Sequence, residues 1–270
     1  MFHDTFGDVS WVEGKTIVVT GGSSGIGKGV AFTLAAAGAR VVVAGRTASK
    51  VDETVTQIRG AGGEGLGVPT DVGDVAAVEA LMDAARDTFG TLDGLVTAAG
   101  FGTVMPMLEQ PLDEIVEMVQ TDLLGTIFAI RSAATRMGRG SQVVTVASSV
   151  AGGALPSMPV YGAVKSAVVI LSESIRDELA ARGIRVSCLL PGAVATHFQD
   201  RWGQEELEAF GMAGGGTPPV HWAIDDTVEV AGAADGPDLR RVMRSRDIAP
   251  SVLYAFELPE RSKGTTLQVL

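Results

Sequence analysis

The chain has 270 residues, 46% of them hydrophobic, which suits one sizeable core at the upper end of what a single α/β domain holds. Its formal net charge of -11, with no run of Lys or Arg, argues against nucleic acid as a partner, and the acidity reads as solubility. One cysteine, Cys188, excludes an internal disulfide or a thiolate metal cluster; it lies in an apolar run and reads as a buried thiol.

Residues 1–13 are acidic and aromatic without an apolar stretch, and nothing approaches the roughly eighteen uninterrupted apolar residues of a membrane span. A cytoplasmic protein with no membrane partner is therefore expected. The run 16–20 (TIVVT) is a strand, and Ile26, Val30, Leu34 and Ala37 then recur at helical spacing until Gly38. A second apolar strand spans 40–44, a helix about 47–59, and the loop 60–63 precedes a short strand around 66–69. A helix at 75–89, a strand at 92–97 and a long helix at about 112–137 follow. Next come a strand at 142–147, a helix at 161–181 and a strand at 185–190. Valine-rich strands without polar alternation imply a sheet covered on both faces. Their regular alternation with helices predicts a doubly wound parallel sheet, the Rossmann type, of about seven strands. After Thr196 the pattern weakens. Residues 197–245 are polar and rich in Gly and Pro, and are expected to form a substrate-binding lid inserted in one domain spanning 1–270. A helix at 248–258 and a strand at 265–269 would close the sheet.

The first strand runs into Gly21, Gly22, Ser23, Ser24, Gly25, Ile26 and Gly27. Glycines let the backbone turn tightly against a pyrophosphate, while free N–H groups and the positive end of the next helix stabilise its charge. Such a turn after the first strand of a doubly wound sheet points to a dinucleotide. Selectivity is expected at the end of the second strand, where an acidic residue would hold the ribose hydroxyls of NAD. Gly45 and Arg46 stand there instead. A guanidinium suits a 2′-phosphate, so NADP(H) is expected over NAD, with Thr47 and Lys50 able to assist. The alternative is that Arg46 caps a strand end in solvent.

These residues, with further markers over about 15–196, resemble the short-chain dehydrogenase/reductase family of nicotinamide-dependent oxidoreductases. The markers are Asp71-Val72, Thr97-Ala98-Ala99-Gly100, Ser148, Tyr161-Gly162-Ala163-Val164-Lys165 and Pro191-Gly192-Ala193-Val194-Ala195-Thr196. The resemblance implies that Asp71 and Val72 flank the adenine, that Gly100 backs the cofactor, and that Val194 and Thr196 hold the nicotinamide carboxamide. It also implies that Lys165 holds the ribose hydroxyls, and it counts Ala98, Ala99, Pro191 and Gly192 among the cofactor-side residues.

The chemistry of the remaining set follows from its groups. Hydride arriving at a substrate carbonyl builds negative charge on oxygen, which needs a hydrogen-bond donor and then a proton. Tyr161 supplies both. A free phenol ionises near pH 10, and an ammonium nearby favours the phenolate. Lys165 lies four residues on, on the same helix face and about 6 Å along the axis. Ser148 at a strand end offers a second hydrogen bond to the substrate oxygen; Ser149 is its rival, and the family's thirteen-residue spacing favours Ser148. The expected activity is interconversion of a ketone, a medium-sized and partly apolar carbonyl compound, and a secondary alcohol, as a reductase. An NAD-dependent alcohol dehydrogenase and a non-catalytic NADP sensor are the alternatives.

Three departures from the family pattern stand out. Ala98 replaces an asparagine in the loop after the fourth strand, where lower local order is expected. Asp122 stands where the family's fourth catalytic residue, a water-holding asparagine, would be; an ionised carboxylate there would raise the pKa of Lys165 and weaken its pull on Tyr161. The chain ends without the family's Asp-Gly-Gly tail. His3, His197 and His221 lack metal-ligand spacing, and no metal is expected. The long helix and the Tyr161 helix are apolar on more than one face, which predicts a homodimer or homotetramer.

Overall fold

The computed structural model describes residues 11–154, 156–192, 194–195, 243–258 and 263–269. Seven strands form one parallel sheet: β1 (Thr16–Thr20), β2 (Arg40–Gly45), β3 (Glu64–Pro69), β4 (Gly94–Thr97), β5 (Gln142–Val146), β6 (Arg185–Pro191) and, last in the chain, β9 (Thr266–Val269). Their spatial order is β3-β2-β1-β4-β5-β6-β9, so the chain leaves β1 on one side for β2 and β3 and returns to its other side for β4. That reversal makes a switch point between β1 and β4, outside whose carboxyl ends a crevice opens. Every residue of β1, β4 and β5 is buried. β-Branched side chains fill both faces, as unalternating strands require.

Helices cover the two faces. On one side α1 (Gly25–Ala36) packs with α8 (Ser245–Glu257), around a core that includes Ile17, Val19, Leu34, Val43 and Phe256. The other face carries α3 (Val75–Phe89) and α5 (Gly125–Arg136), whose Leu81, Met82, Ala129 and Ala133 pack on Val18, Val42 and Leu95. Trp11 stacks on Phe256 with ring centroids 5.1 Å apart. The carbonyls ending α8 do not stay orphaned: the Gln142 amide donates to Phe256 O, and Arg185 donates to Leu258 O.

The expected long helix has a different interior. A short α-helix, α4 (Leu112–Met118), passes into a π-helical turn at Val119–Leu124 before α5 resumes the α register. The expected helix at 161–181 is likewise two pieces, α6 (Pro159–Ser174) and α7 (Arg176–Ala181), after α2 (Ala48–Gly60) earlier in the chain. Two short strands, β7 (Val194–Ala195) and β8 (Met243–Arg244), pair parallel to each other. Between them, most of the expected lid at 197–245 lies outside the described residues, as do Ala193, Thr196 and all three histidines. Among the described residues no helix is long and apolar enough to cross a membrane, and no group of three or more His, Cys, Asp or Glu residues could hold a metal ion.

Candidate active site

The glycine turn joins β1 to α1 and is shaped by close contact. Gly21 has φ +67°, and a Cβ on it would lie 2.7 Å from the Ala98 backbone. A Cβ on Gly27 would lie 2.3 Å from Gly21 O. Side chains are thus excluded at both points. Ser24 precedes α1 without capping it through its side chain, which leaves the first amides of the helix for a ligand. A cradle with no room for Cβ atoms, opening on a helix N-terminus, fits a dinucleotide pyrophosphate. Ser23, Gly25 and Ile26 complete it, and a Cβ on Gly45 would meet Ser23 Oγ.

Two loops extend the crevice. Asp71 Oδ1 accepts the Gly73 N–H at 2.9 Å, closing a tight turn, and Val72 is buried. After β4, Ala98 N donates to Thr20 O at 3.1 Å and Ala99 N to Thr20 Oγ1 at 3.5 Å. Ala98 therefore keeps its backbone anchored through Thr20, and its methyl packs against the core cluster of β1 and α1. Gly192 N donates to Val269 O at 2.8 Å, which ties the turn after β6 to the last strand, and Val194 is buried. Arg46 and Thr47 follow β2 directly, Thr47 at the N-cap of α2.

Ser148, Tyr161, Lys165 and Asp122 come together near the carboxyl ends of β4 and β5. Ser148 follows β5, accepts the Val150 N–H at 3.4 Å and hydrogen-bonds the Tyr161 phenol; Ser149 begins the short 3₁₀ turn beyond it. Tyr161 and Lys165 sit one turn apart on α6, with Nζ 5.7 Å from the centroid of the phenol ring. The ammonium donates to Val146 O at 3.4 Å and lies 3.0 Å from Asp122 Oδ2. Asp122 is 0% exposed, and its other oxygen accepts the Phe101 N–H at 3.0 Å. Oδ2 and the Lys165 ammonium thus form a buried ion pair. Met158, Met118, Phe101 and Val104 form the apolar packing around Tyr161, so Met158 is core filling.

The π-turn is what places Asp122. It is gripped on several sides: Gln120 Nε2 donates to Gly73 O at 2.6 Å, and Gly125 lies so close to Val72 that a Cβ would come within 2.6 Å of Cγ2. A Cβ on Gly100 would come within 2.5 Å of Asp122 Oδ2. One widened turn thus lets the carboxylate reach Lys165 while the helix on either side keeps its packing.

Charge in this dry setting is strongly coupled. Burial alone would lower the Lys165 pKa, but the negative charge of Asp122, and of Tyr161 once it ionises, outweighs it, and the net direction is upward. Burial pushes the Asp122 carboxyl up, against the pull of Lys165 and the Phe101 amide. Tyr161 also stands above its ordinary value: burial raises it most, Lys165 lowers it, Asp122 raises it again, and the Ser148 hydrogen bond lowers it. The protein alone leaves its phenol protonated, which suits a proton donor.

A family model described as short chain dehydrogenase matches residues 15–207. The chain belongs to the short-chain dehydrogenase family. It is 31% identical over 248 residues to an uncharacterized oxidoreductase of Staphylococcus aureus, covering 91% of this chain and 92% of that protein. It is also 35% identical to L-rhamnose 1-dehydrogenase (NAD(P)(+)) of Azotobacter vinelandii, over 67% of this chain and 74% of the relative. Among solved structures, a short-chain dehydrogenase of Burkholderia cenocepacia in complex with NADP superposes with a TM-score of 0.78 at 25% identity, covering 96% and 98% of the two chains. The chain is thus an oxidoreductase of a family that uses nicotinamide cofactors.

Two contributors escape the sequence. Glu117, in α4, accepts a hydrogen bond from Arg46 Nη1 at 2.8 Å. Gln120 locks the π-turn to the Asp71 loop. No sequence signal marks either residue, because both contacts join segments far apart in the chain.

Proposed function

We propose that this oxidoreductase reduces a ketone to a secondary alcohol with NADPH, with Tyr161 as the general acid. The observation that carries the proposal is the convergence of Ser148, Tyr161 and Lys165 beside the glycine cradle, with the phenol hydrogen-bonded to Ser148. The nicotinamide cofactor, when bound, supplies the hydride. Ser148 and the Tyr161 hydroxyl both donate to the carbonyl oxygen as it gains negative charge. Tyr161 then gives its proton to the alkoxide, and the resulting phenolate is stabilised by the Lys165 ammonium. Asp122 holds that ammonium in place and keeps it charged.

Nucleotide choice rests on Arg46, which stands at the end of β2 where that strand contributes no carboxylate. The NADP complex of the Burkholderia relative is in keeping with it. A second reading, NAD-dependent alcohol oxidation, is favoured by one observation, the Glu117 carboxylate beside Arg46. Exposed Leu112 and Val116 on α4 and Ile170 on α6 support a homo-oligomer formed through these helices. Turnover of a carbonyl panel with each cofactor, compared as kcat/KM, tests the activity. Tyr161→Phe is expected to reduce kcat by about a hundred- to ten-thousandfold while the NADPH Kd stays within twofold. Equal turnover by parent and variant, or a kcat/KM preference for NAD, would refute the corresponding half of the proposal.

A further inference from the structure

Arg46 and Glu117 are 71 positions apart and approach the switch-point crevice from different connections: Arg46 follows β2, and Glu117 lies in the segment between β4 and β5. Their 2.8 Å ion pair therefore joins the end of β2, where the ribose-selecting residue of a dinucleotide fold stands, to the connection after β4. The pair is solvent-accessible, with side chains 50% and 39% exposed. Such pairs shift an equilibrium by about fivefold at most, so a ligand can open this one.

From this geometry we infer that Glu117 is a specificity-determining residue that competes with a nucleotide 2′-phosphate for Arg46. The inference rests on the proposed role of Arg46. A phosphate is held best through two parallel N–H donors of a guanidinium. Glu117 occupies Nη1, one of those donors, and sets a carboxylate where a dianion must approach. A 2′-phosphate gripped through Nη1 and Nη2 must displace Glu117, and one gripped through Nε and Nη2 must tolerate its carboxylate beside it. A 2′-hydroxyl carries no charge and meets neither cost. Glu117 thus narrows the preference that Arg46 creates, without touching the reacting atoms.

The test is calorimetric titration of the full chain with NADPH and with NADH, for the parent, Glu117→Gln, Arg46→Ala and the double variant. Glu117→Gln is expected to tighten NADPH by about fivefold and to change NADH by less than twofold. In the Arg46→Ala background the same substitution should gain clearly less, because the competition runs through the guanidinium. The parent's NADPH affinity should also fall with added salt more steeply than its NADH affinity. Unchanged NADPH binding in Glu117→Gln, with NADPH weakened in Arg46→Ala, overturns the role of Glu117 and leaves that of Arg46 standing. Unchanged NADPH binding in Arg46→Ala overturns the reading of Arg46 itself. Weakened NADH binding in Glu117→Gln would make Glu117 a ribose ligand instead of a competitor.

Discussion

The turn after β1 makes its site from backbone, whereas the cluster around Lys165 makes its site from buried charge. At the turn, the Cβ positions of Gly21 and Gly27 are filled by backbone atoms at 2.7 and 2.3 Å. Nothing there titrates. Around Lys165 the packing also excludes solvent, but Asp122, Lys165 and Tyr161 each shift the protonation of the others. The first region should fail by shape, at any pH. The second should fail by protonation, and pH should reveal it.

The sharpest way to separate them is to remove one member of the buried pair. Lys165→Met strands the Asp122 carboxylate in a site where it is 0% exposed, a loss of about 3 to 5 kcal/mol for an uncompensated charge. Asp122 can escape by keeping a proton, so its folded-state pKa stands above the unfolded one. The folded state then binds more protons than the unfolded state, and stability falls as pH rises above the ordinary carboxyl range. Denaturant melts of Lys165→Met should therefore show stability recovering from pH 8 towards pH 5, and Asp122→Asn added to it should remove that slope. A pH-independent loss would mean that the pair contributes only packing.

Gly27→Ala is the matching experiment at the turn. Its Cβ would meet a carbonyl oxygen that cannot move without moving the turn, so overpacking should cost about 1 to 3 kcal/mol. Nucleotide affinity should fall with it, and both losses should be equal at pH 6 and pH 9. A pH-dependent loss in this variant would break the division between the two regions.

The same contrast explains what could be read from sequence. The Val-rich strands and the glycine turn are local patterns, so β1 and β2 appear within a residue of their expected limits and the turn appears where its glycines stand. The Tyr161–Lys165 pairing is also local, one turn of one helix. The π-turn was not legible, because widening at Val119–Leu124 depends on Gly73, Val72 and Phe101 gripping it from other segments. Arg46 was visible as a cation at a strand end, but its carboxylate partner was not, since nothing in the composition of α4 singles out Glu117. Asp122 was visible as an unusual residue, and only the structure shows it 3.0 Å from the ammonium.

The smallest expected effect is also the most informative about that carboxylate. Asp122→Asn keeps the shape of the side chain and removes its charge. Lys165 then loses a charge that raises its pKa, while burial still lowers it. Tyr161 loses a charge that raises its own pKa, so the phenol should ionise at lower pH than in the parent. Alcohol oxidation needs the phenolate, and its rising limb should move to lower pH; carbonyl reduction needs the phenol, and its falling limb should move the same way. Profiles of kcat/KM measured in both directions check this shift. An unmoved pair of limbs would assign Asp122 to positioning alone, with the protonation of Tyr161 set by burial, Lys165 and Ser148.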